Sequence, residues 1–148
     1  MPLRVLVADD NDAFLAAARD VLTAAPGLDV VAVVTSGQRV LEACDQHRPD
    51  VAVLDVQMPG GGPDLAAEIA RRWPATRILC LSARDDADTV LAMLASGATG
   101  YVAKGALVED LAAVVQRTVE GGFFVTAGCA PEVRRRIGEL VGRPGQVP

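Results

Sequence analysis

Five short apolar runs recur along this 148-residue chain, and they constrain its fold more than any other feature. The runs are rich in Val, Ile and Leu and show no clean alternation with polar residues. Strands that are buried on both faces have this composition, which is typical of parallel sheets covered by helices. The predicted strands are Leu3–Ala8, Leu28–Val34, Val51–Leu54, 78–81 and Gly100–Ala103.

Helical patterns separate these runs. The clearest begins at Leu107 and continues at helical spacing through Val119, and Pro or Gly residues stand where the predicted helices end. Strands that alternate with helices form parallel sheets through right-handed crossovers. We therefore predict a single three-layer α/β domain with a five-stranded parallel sheet flanked by five helices.

The pattern changes after residue 122. Residues 123–125 form a short apolar segment, and residues 131–141 predict a sixth helix with Val133, Ile137, Leu140 and Val141 on one face. Arginines 134–136 lie on its other side, either as a solvated face or on a connector to another domain or chain. We expect a domain over 1–122 and an extension over 123–148, which contains a linker helix at about 131–141 and ends like the opening of a linker.

Composition excludes several classes of protein. The 14 Lys+Arg and 19 Asp+Glu residues give a net charge of −5, which argues against sequence-independent nucleic-acid binding as the main activity. Three well-separated cysteines predict neither a zinc site nor a disulfide scaffold, so we expect reduced thiols in a cytoplasmic protein. No apolar stretch approaches the roughly 20 residues of a membrane span, so we expect no membrane association.

Polar and charged residues follow four of the predicted strands. Asp9 and Asp10 end the first strand, Asp55 follows the third, Ser82 follows the fourth and Lys104 follows the fifth. The carboxyl ends of parallel strands meet at one edge of the sheet, where ligands bind. These side chains are therefore expected to converge there.

Three carboxylates at one edge repel each other, by roughly 4 kcal/mol per pair at 4 Å and an effective dielectric constant near 20. Lys104 supplies one positive charge and cannot neutralise all three. A divalent cation can, and oxygen ligands with room for water suit Mg²⁺. The sequence therefore predicts a magnesium site that the protein does not fully enclose.

An open magnesium coordination position beside a lysine and a hydroxyl is typical of phosphoryl binding. Asp55 is then the nucleophile, because carboxylates form aspartyl-phosphates. Lys104 and Ser82 are the candidates to bind other phosphoryl oxygens. This chemistry requires little acid–base machinery, in keeping with a chain whose only histidine, His47, lies away from this edge.

Each of these residues also has a simpler structural interpretation. The acidic pair can belong to a capping segment for the next helix, with Asn11 or Asp12 as the cap. Asp55 alone can be a turn residue, and Ser82 or Lys104 alone indicates little. It is their joint placement at strand ends that favours a site.

Four segments resemble the receiver domain of bacterial two-component response regulators. They are VLVADD at 5–10, VLDVQMPG at 53–60, LSA at 81–83 and GATGYVAKG at 97–105. The resemblance covers residues 3–121, and the last segment is most similar to the LuxR-type branch. It implies a flavodoxin-like strand order, 2-1-3-4-5. The chain departs from the family at Gly105, where many members have proline after the lysine.

The resemblance also implies a function. Asp55 would accept a phosphoryl group from a phosphohistidine on a sensor histidine kinase. The implied Mg²⁺ ligands are Asp9, Asp10, Asp55 and the backbone carbonyl of Gln57. Ser82 and Lys104 would sense the phosphoryl group, and Tyr101 would be the switch aromatic that follows the movement of Ser82. For Tyr101 the simpler alternative is a half-buried ring with its hydroxyl in water.

A receiver of this kind is a signalling switch, not an enzyme, and at most it catalyses its own phosphorylation and dephosphorylation. LuxR-type members usually control transcription through a C-terminal DNA-binding domain, which this chain lacks. The expected partners are the kinase, a second copy in a homodimer, and DNA only through such a domain. The alternatives are a stand-alone receiver, a phosphorylation-independent pseudo-receiver that acts by protein–protein contact, and a phosphatase. A phosphatase is disfavoured because Gln57 stands where such enzymes place a second acid.

Overall fold

A single parallel sheet forms the centre of the molecule in the computed structural model, which describes residues 1–107 and 110–141. Its strand order is β2-β1-β3-β4-β5-β6. The strands are β1 Leu3–Ala8, β2 Leu28–Val34, β3 Val51–Leu54, β4 Arg77–Ser82, β5 Gly100–Ala103 and β6 Phe124–Thr126. The helices are α1 Asp12–Ala24, α2 Gly37–His47, α3 Pro63–Arg72, α4 Ala87–Ala95, α5 Leu111–Glu120 and α6 Ala130–Val141, with a short 3-10 helix at Lys104–Ala106.

Helices cover both faces of the sheet, as the composition of the strands predicts. Leu6 and Ala8 of β1 pack in a core with α2, α3 and α4, whereas Val5 and Val7 pack in a second core with α1 and α5. All four side chains are at most 2% exposed. The three-layer α/β prediction and the flavodoxin-like order of the first five strands are confirmed.

The sheet has one strand more than predicted. In β6, Phe124, Val125 and Thr126 pair in parallel with residues 100–102 of β5. A run of three residues is too short to show a strand pattern, and its place depends on its neighbour: a Cβ at Gly100 would lie 2.4 Å from the Phe124 ring. The ring packs against a strand position that lacks a side chain, which no local pattern reveals.

The predicted sixth helix is present as α6 and packs against α4. Val133 is buried, but Ile137 and Leu140 remain exposed at 41% and 71%, so only part of the predicted apolar face meets the domain. Arg136 forms an ion pair with Asp88 of α4 at 2.7 Å, so this arginine is not merely solvated. The predicted linker opening at 142–148 lies outside the described residues. Among the described residues, no helix has the length and hydropathy needed to cross a bilayer.

Side chains cap the helices that follow the strand ends. Asn11 accepts a hydrogen bond from the Phe14 N–H at 3.0 Å and starts α1, as one of the alternatives for this segment expects. Asp86 accepts from the Thr89 N–H at 3.0 Å and starts α4. Capping satisfies N–H groups that a helix leaves unpaired. The caps keep these loops short, so the residues directly after β1 and β4 stay close to the sheet edge.

Candidate functional site

Three carboxylates meet at the carboxyl edge of the sheet. Ala8 of β1 is paired with Leu54 of β3, so the residues that follow them, Asp9 and Asp55, are neighbours. Asp9 is 1% exposed and Asp55 is 5% exposed, whereas Asp10 is exposed to solvent. One carboxylate oxygen from each of the three lies within 4.8 Å of the others. The convergence predicted from the strand ends is therefore present.

This arrangement fits a small divalent cation. Mg²⁺ binds oxygens at about 2.1 Å in an octahedron, so its ligands lie at most about 4.2 Å apart. The carboxylate oxygens, all within 4.8 Å of one another, are compatible with such a site. Because Asp10 is exposed, the protein encloses only one side of the cluster. The acidic pocket expected of a receiver domain is present.

Lys104 is the cation of the site. Its Nζ lies 2.6 Å from Oδ2 of Asp9, and its side chain is 23% exposed. The same Nζ lies 4.1 Å from the centre of the Phe14 ring, a cation–π contact. Sequence reasoning did not identify Phe14, although its place in the first turn of the helix after Asp9 and Asp10 was a usable signal. Lys104 therefore balances one buried carboxylate and leaves the negative charge of the site in excess.

The environment of Asp55 favours the protonated form more than water does. Burial raises the pKa of Asp55, with a further increase from the nearby Asp9 carboxylate. Opposing this, the Gln57 N–H donates to Oδ1 of Asp55 at 3.1 Å, and Lys104 adds a positive charge. A carboxylate held this way is poorly solvated, which suits a nucleophile that attacks one specific ligand.

Ser82 lies beside Asp55 at the end of β4. Its side chain is fully buried, and its hydroxyl lies close enough to the Asp55 carboxylate to help lower the pKa of Asp55. Its Oγ also accepts a hydrogen bond from the Arg84 N–H at 3.2 Å. The hydroxyl therefore connects the carboxylate to the loop that leads into α4.

Tyr101 of β5 contacts the same loop. Its ring is fully buried, and its hydroxyl donates to the Arg84 carbonyl at 2.8 Å, so the alternative with a hydroxyl in water is wrong. Burial raises the pKa of Tyr101 to about 12, so the hydroxyl stays protonated and remains a donor at neutral pH. Arg84, which sequence reasoning missed, joins Ser82 to Tyr101 through its backbone.

The loop after Asp55 packs tightly against α2. The Gly37 N–H donates to the Pro59 carbonyl at 2.8 Å, and a Cβ at Gly37 would lie 2.1 Å from the Gly60 oxygen. Gly60 itself has φ +74°, a left-handed conformation that favours glycine. The glycine-rich loop therefore has a defined conformation, and the Gln57 backbone that it carries lies next to Asp55.

Comparison with known proteins identifies the family. Residues 5–116 match the family model of the response regulator receiver domain. This chain belongs to that family. The receiver domain resembles a structure of the signal receiver domain of the putative response regulator NarL from Mycobacterium tuberculosis. The two are 32% identical with a TM-score of 0.76, over 81% of this chain and 98% of that one.

Two curated relatives extend the comparison. The oxygen regulatory protein NreC of Staphylococcus epidermidis is 33% identical over 125 residues, which are 83% of this chain and 57% of NreC. The transcriptional regulatory protein DegU of Brevibacillus brevis is 29% identical over 142 residues, which are 93% of this chain and 60% of DegU. These relatives confirm the LuxR-type branch. The chain spans about 60% of the length of the curated relatives.

Proposed function

We propose that Asp55 of this receiver domain accepts a phosphoryl group from the phosphohistidine of a sensor histidine kinase and so switches a protein-interaction surface. The observation that carries the proposal is a buried carboxylate in an acidic oxygen cluster, with a lysine and a hydroxyl beside it. The carboxylates of Asp9, Asp10 and Asp55 and the backbone carbonyl of Gln57 would hold Mg²⁺. When bound, the cation neutralises charge on the carboxylates and on a phosphoryl oxygen.

In the transfer step an Asp55 oxygen bonds to phosphorus while the bond from phosphorus to the donor nitrogen breaks. The nitrogen keeps the electron pair of that bond, and the donor leaves as neutral imidazole because its other ring nitrogen already carries a proton or takes one from water. Lys104, now 2.6 Å from Asp9, is close enough to pair with a phosphoryl oxygen, and the Ser82 hydroxyl can donate to another. The chain thus catalyses at most its own phosphorylation and, with water as acceptor, its own dephosphorylation.

The relatives that share this domain support a proposal for its output. The DegU relative is a transcriptional regulatory protein, and it extends well beyond the matched region. We propose that the domain over residues 1–122 works in the cytoplasm and controls a C-terminal DNA-binding domain, with the extension that contains α6 as the connection. A homodimer and the sensor kinase are the protein partners proposed here.

Intact mass spectrometry tests the phosphorylation. Acetyl phosphate with Mg²⁺ is expected to add one phosphoryl group, ~80 Da, to the wild-type chain, because such donors supply the group without a kinase. The Asp55→Asn variant should stay unmodified, and Asp50→Asn, which changes the carboxylate at the other end of β3, should be modified like the wild type. A wild-type chain that stays unmodified while a control receiver reacts would overturn the proposal.

A further inference from the structure

The C-terminal helix α6 lies on the same side of the sheet as the loop between β4 and α4. Its buried residue Val133 belongs to one core cluster with Val90 and Met93 of α4 and with Tyr101 of β5. The exposed part of the contact carries the ion pair between Arg136 and Asp88. The helix is therefore packed on α4, the helix that follows Ser82 and the β4–α4 loop.

A carboxylate from that loop holds the start of α6. Oδ2 of Asp85 accepts a hydrogen bond from the Gly128 N–H at 2.9 Å, and Oδ1 accepts from the Cys129 N–H at 3.0 Å. These groups directly precede Ala130, the first residue of α6, where backbone N–H groups lack partners within the helix. The Cys129 N–H is the main cause of a lowered pKa at Asp85. We call this contact the Asp85 clamp.

The Asp85 clamp is connected to the phosphorylation site through two residues, Arg84 and Ser82. Arg84 donates its N–H to Ser82 and accepts the Tyr101 hydroxyl at its carbonyl. The Ser82 hydroxyl in turn lies beside the Asp55 carboxylate and acts on its pKa. A movement of Ser82 is therefore transmitted directly to the backbone on which Asp85 stands.

We propose that the Asp85 clamp is a latch on α6, which phosphorylation of Asp55 opens through Ser82 and Arg84. This inference rests on the function proposed above. When the Ser82 hydroxyl turns to a phosphoryl oxygen, the Arg84 backbone follows, and Asp85 can no longer reach both N–H groups. The start of α6 then separates from the loop that leads into α4. The contact between α6 and the loop has a closed and an open state, and the phosphoryl group shifts the population towards the open state.

Amide hydrogen exchange followed by mass spectrometry tests the latch. The full chain is treated with acetyl phosphate and Mg²⁺, and the same sample is weighed intact to measure the extent of phosphorylation. Exchange in peptides that cover 128–136 is expected to become at least about fivefold faster in the phosphorylated chain, because local opening governs exchange. Peptides from α1 should exchange at an unchanged rate.

Two variants open the clamp from opposite sides without touching the phosphorylation site. Asp85→Ala removes the acceptor, and Gly128→Ala adds a Cβ that would lie 2.8 Å from Oδ2 of Asp85. Both are expected to show fast exchange at 128–136 before any donor is added. Gly122→Ala is the matched control, because no atom lies within 4 Å of its added Cβ, and it should behave like the wild type.

The outcomes separate the latch from the function on which it rests. Phosphorylation without faster exchange at 128–136 overturns the latch and leaves Asp55 as the acceptor. A wild-type chain that is never phosphorylated overturns the proposed function and the trigger together. Slow exchange in both variants overturns the clamp itself, whatever the state of Asp55. Faster exchange upon phosphorylation, already present in both variants, supports the latch.

Discussion

Strand β3 carries an aspartate at each of its ends, and the two differ in their surroundings. Asp50 precedes the strand, and its carboxylate accepts the Arg4 N–H at 2.8 Å while its backbone also pairs with Arg4 and Arg77. Asp55 follows the strand and lies within reach of two other carboxylates. Each aspartate accepts a backbone N–H, but Asp55 also lies beside two other carboxylates, with Lys104 paired to Asp9.

The difference shows which acids of a sheet edge are structural. At the amino edge, the hydroxyl of Thr76 donates to the Pro49 carbonyl, and Trp73 packs near the guanidinium groups of Arg48 and Arg72. Polar groups there pair with each other and need no ligand. At the carboxyl edge the negative charge exceeds the positive charge, a state that costs folding free energy and is retained where a cation or a phosphoryl group binds. Because Trp73 lies at the amino edge, its fluorescence is not expected to respond to Mg²⁺ that binds at the carboxyl edge.

Removal of the positive charge of Lys104 should have the largest effect on stability. Lys104→Met leaves Asp9, which is 1% exposed, without its ion-pair partner. Breaking a buried pair from one side costs about 3 kcal/mol of unfolding free energy, which urea denaturation in the presence of a chelator measures. Arg77→Met, which removes an exposed cation at the amino edge, should change stability by less than about 0.5 kcal/mol. Equal losses in the two variants would contradict the contrast between the edges.

Removal of the Asp55 charge should change the free energy of unfolding in the opposite direction. Asp55→Asn is expected to raise the unfolding free energy by about 2 kcal/mol at neutral pH without Mg²⁺, because a buried charge and its repulsion with Asp9 disappear. The raised pKa of Asp55 means that the folded wild type binds this proton more tightly than the unfolded chain does. The contribution of Asp55 to wild-type stability therefore rises as pH falls from neutral towards its ordinary pKa of 3.8, and the advantage of Asp55→Asn is lost there. If Asp55→Asn were still more stable than the wild type at pH 4, the charge of Asp55 would not be the cause of the difference.

Magnesium should stabilise the folded chain through the acids of the carboxyl edge and not through Asp50 at the amino edge. At about ten times its dissociation constant, Mg²⁺ should add about 1.4 kcal/mol to the stability of the wild type, since it binds only the folded chain. Asp10→Asn should lose most of this gain, because Asp10 is one of the three clustered acids. Asp50→Asn should keep it. Thermal unfolding with and without the metal measures both, and a gain that survives in Asp10→Asn would exclude that residue as a ligand.

Sequence patterns predicted the elements that depend on local order. Five strands and their order follow from apolar runs and from a resemblance carried by short motifs, and the acidic cluster follows from the rule that parallel strands end at one edge. These are properties of segments a few residues long. The parallel topology then determines which of those segments meet, as it does for Asp9 and Asp55.

The features that sequence reasoning missed depend on contacts between distant segments. Asp85 and Gly128 are 43 residues apart, and neither has a neighbour in sequence that indicates the other. The partner of Lys104 is 95 residues away at Asp9, although Lys104 was assigned to the site. Strand β6 exists because Gly100 leaves space for a ring. Such pairs are set by packing in three dimensions, for which a single sequence carries no periodic signal.

The smallest effect should come from the aspartate at the amino edge. Asp50→Asn keeps an oxygen that can accept the Arg4 N–H and loses only the charge that strengthens the hydrogen bond. A charge-assisted bond is roughly twice as strong as a neutral one, so the loss of stability should be at most about 1 kcal/mol. Urea denaturation measures this loss, and phosphorylation by acetyl phosphate should proceed at the wild-type rate. A slower phosphorylation in Asp50→Asn would mean that the two ends of β3 are coupled, and that the amino edge does more than hold strands together.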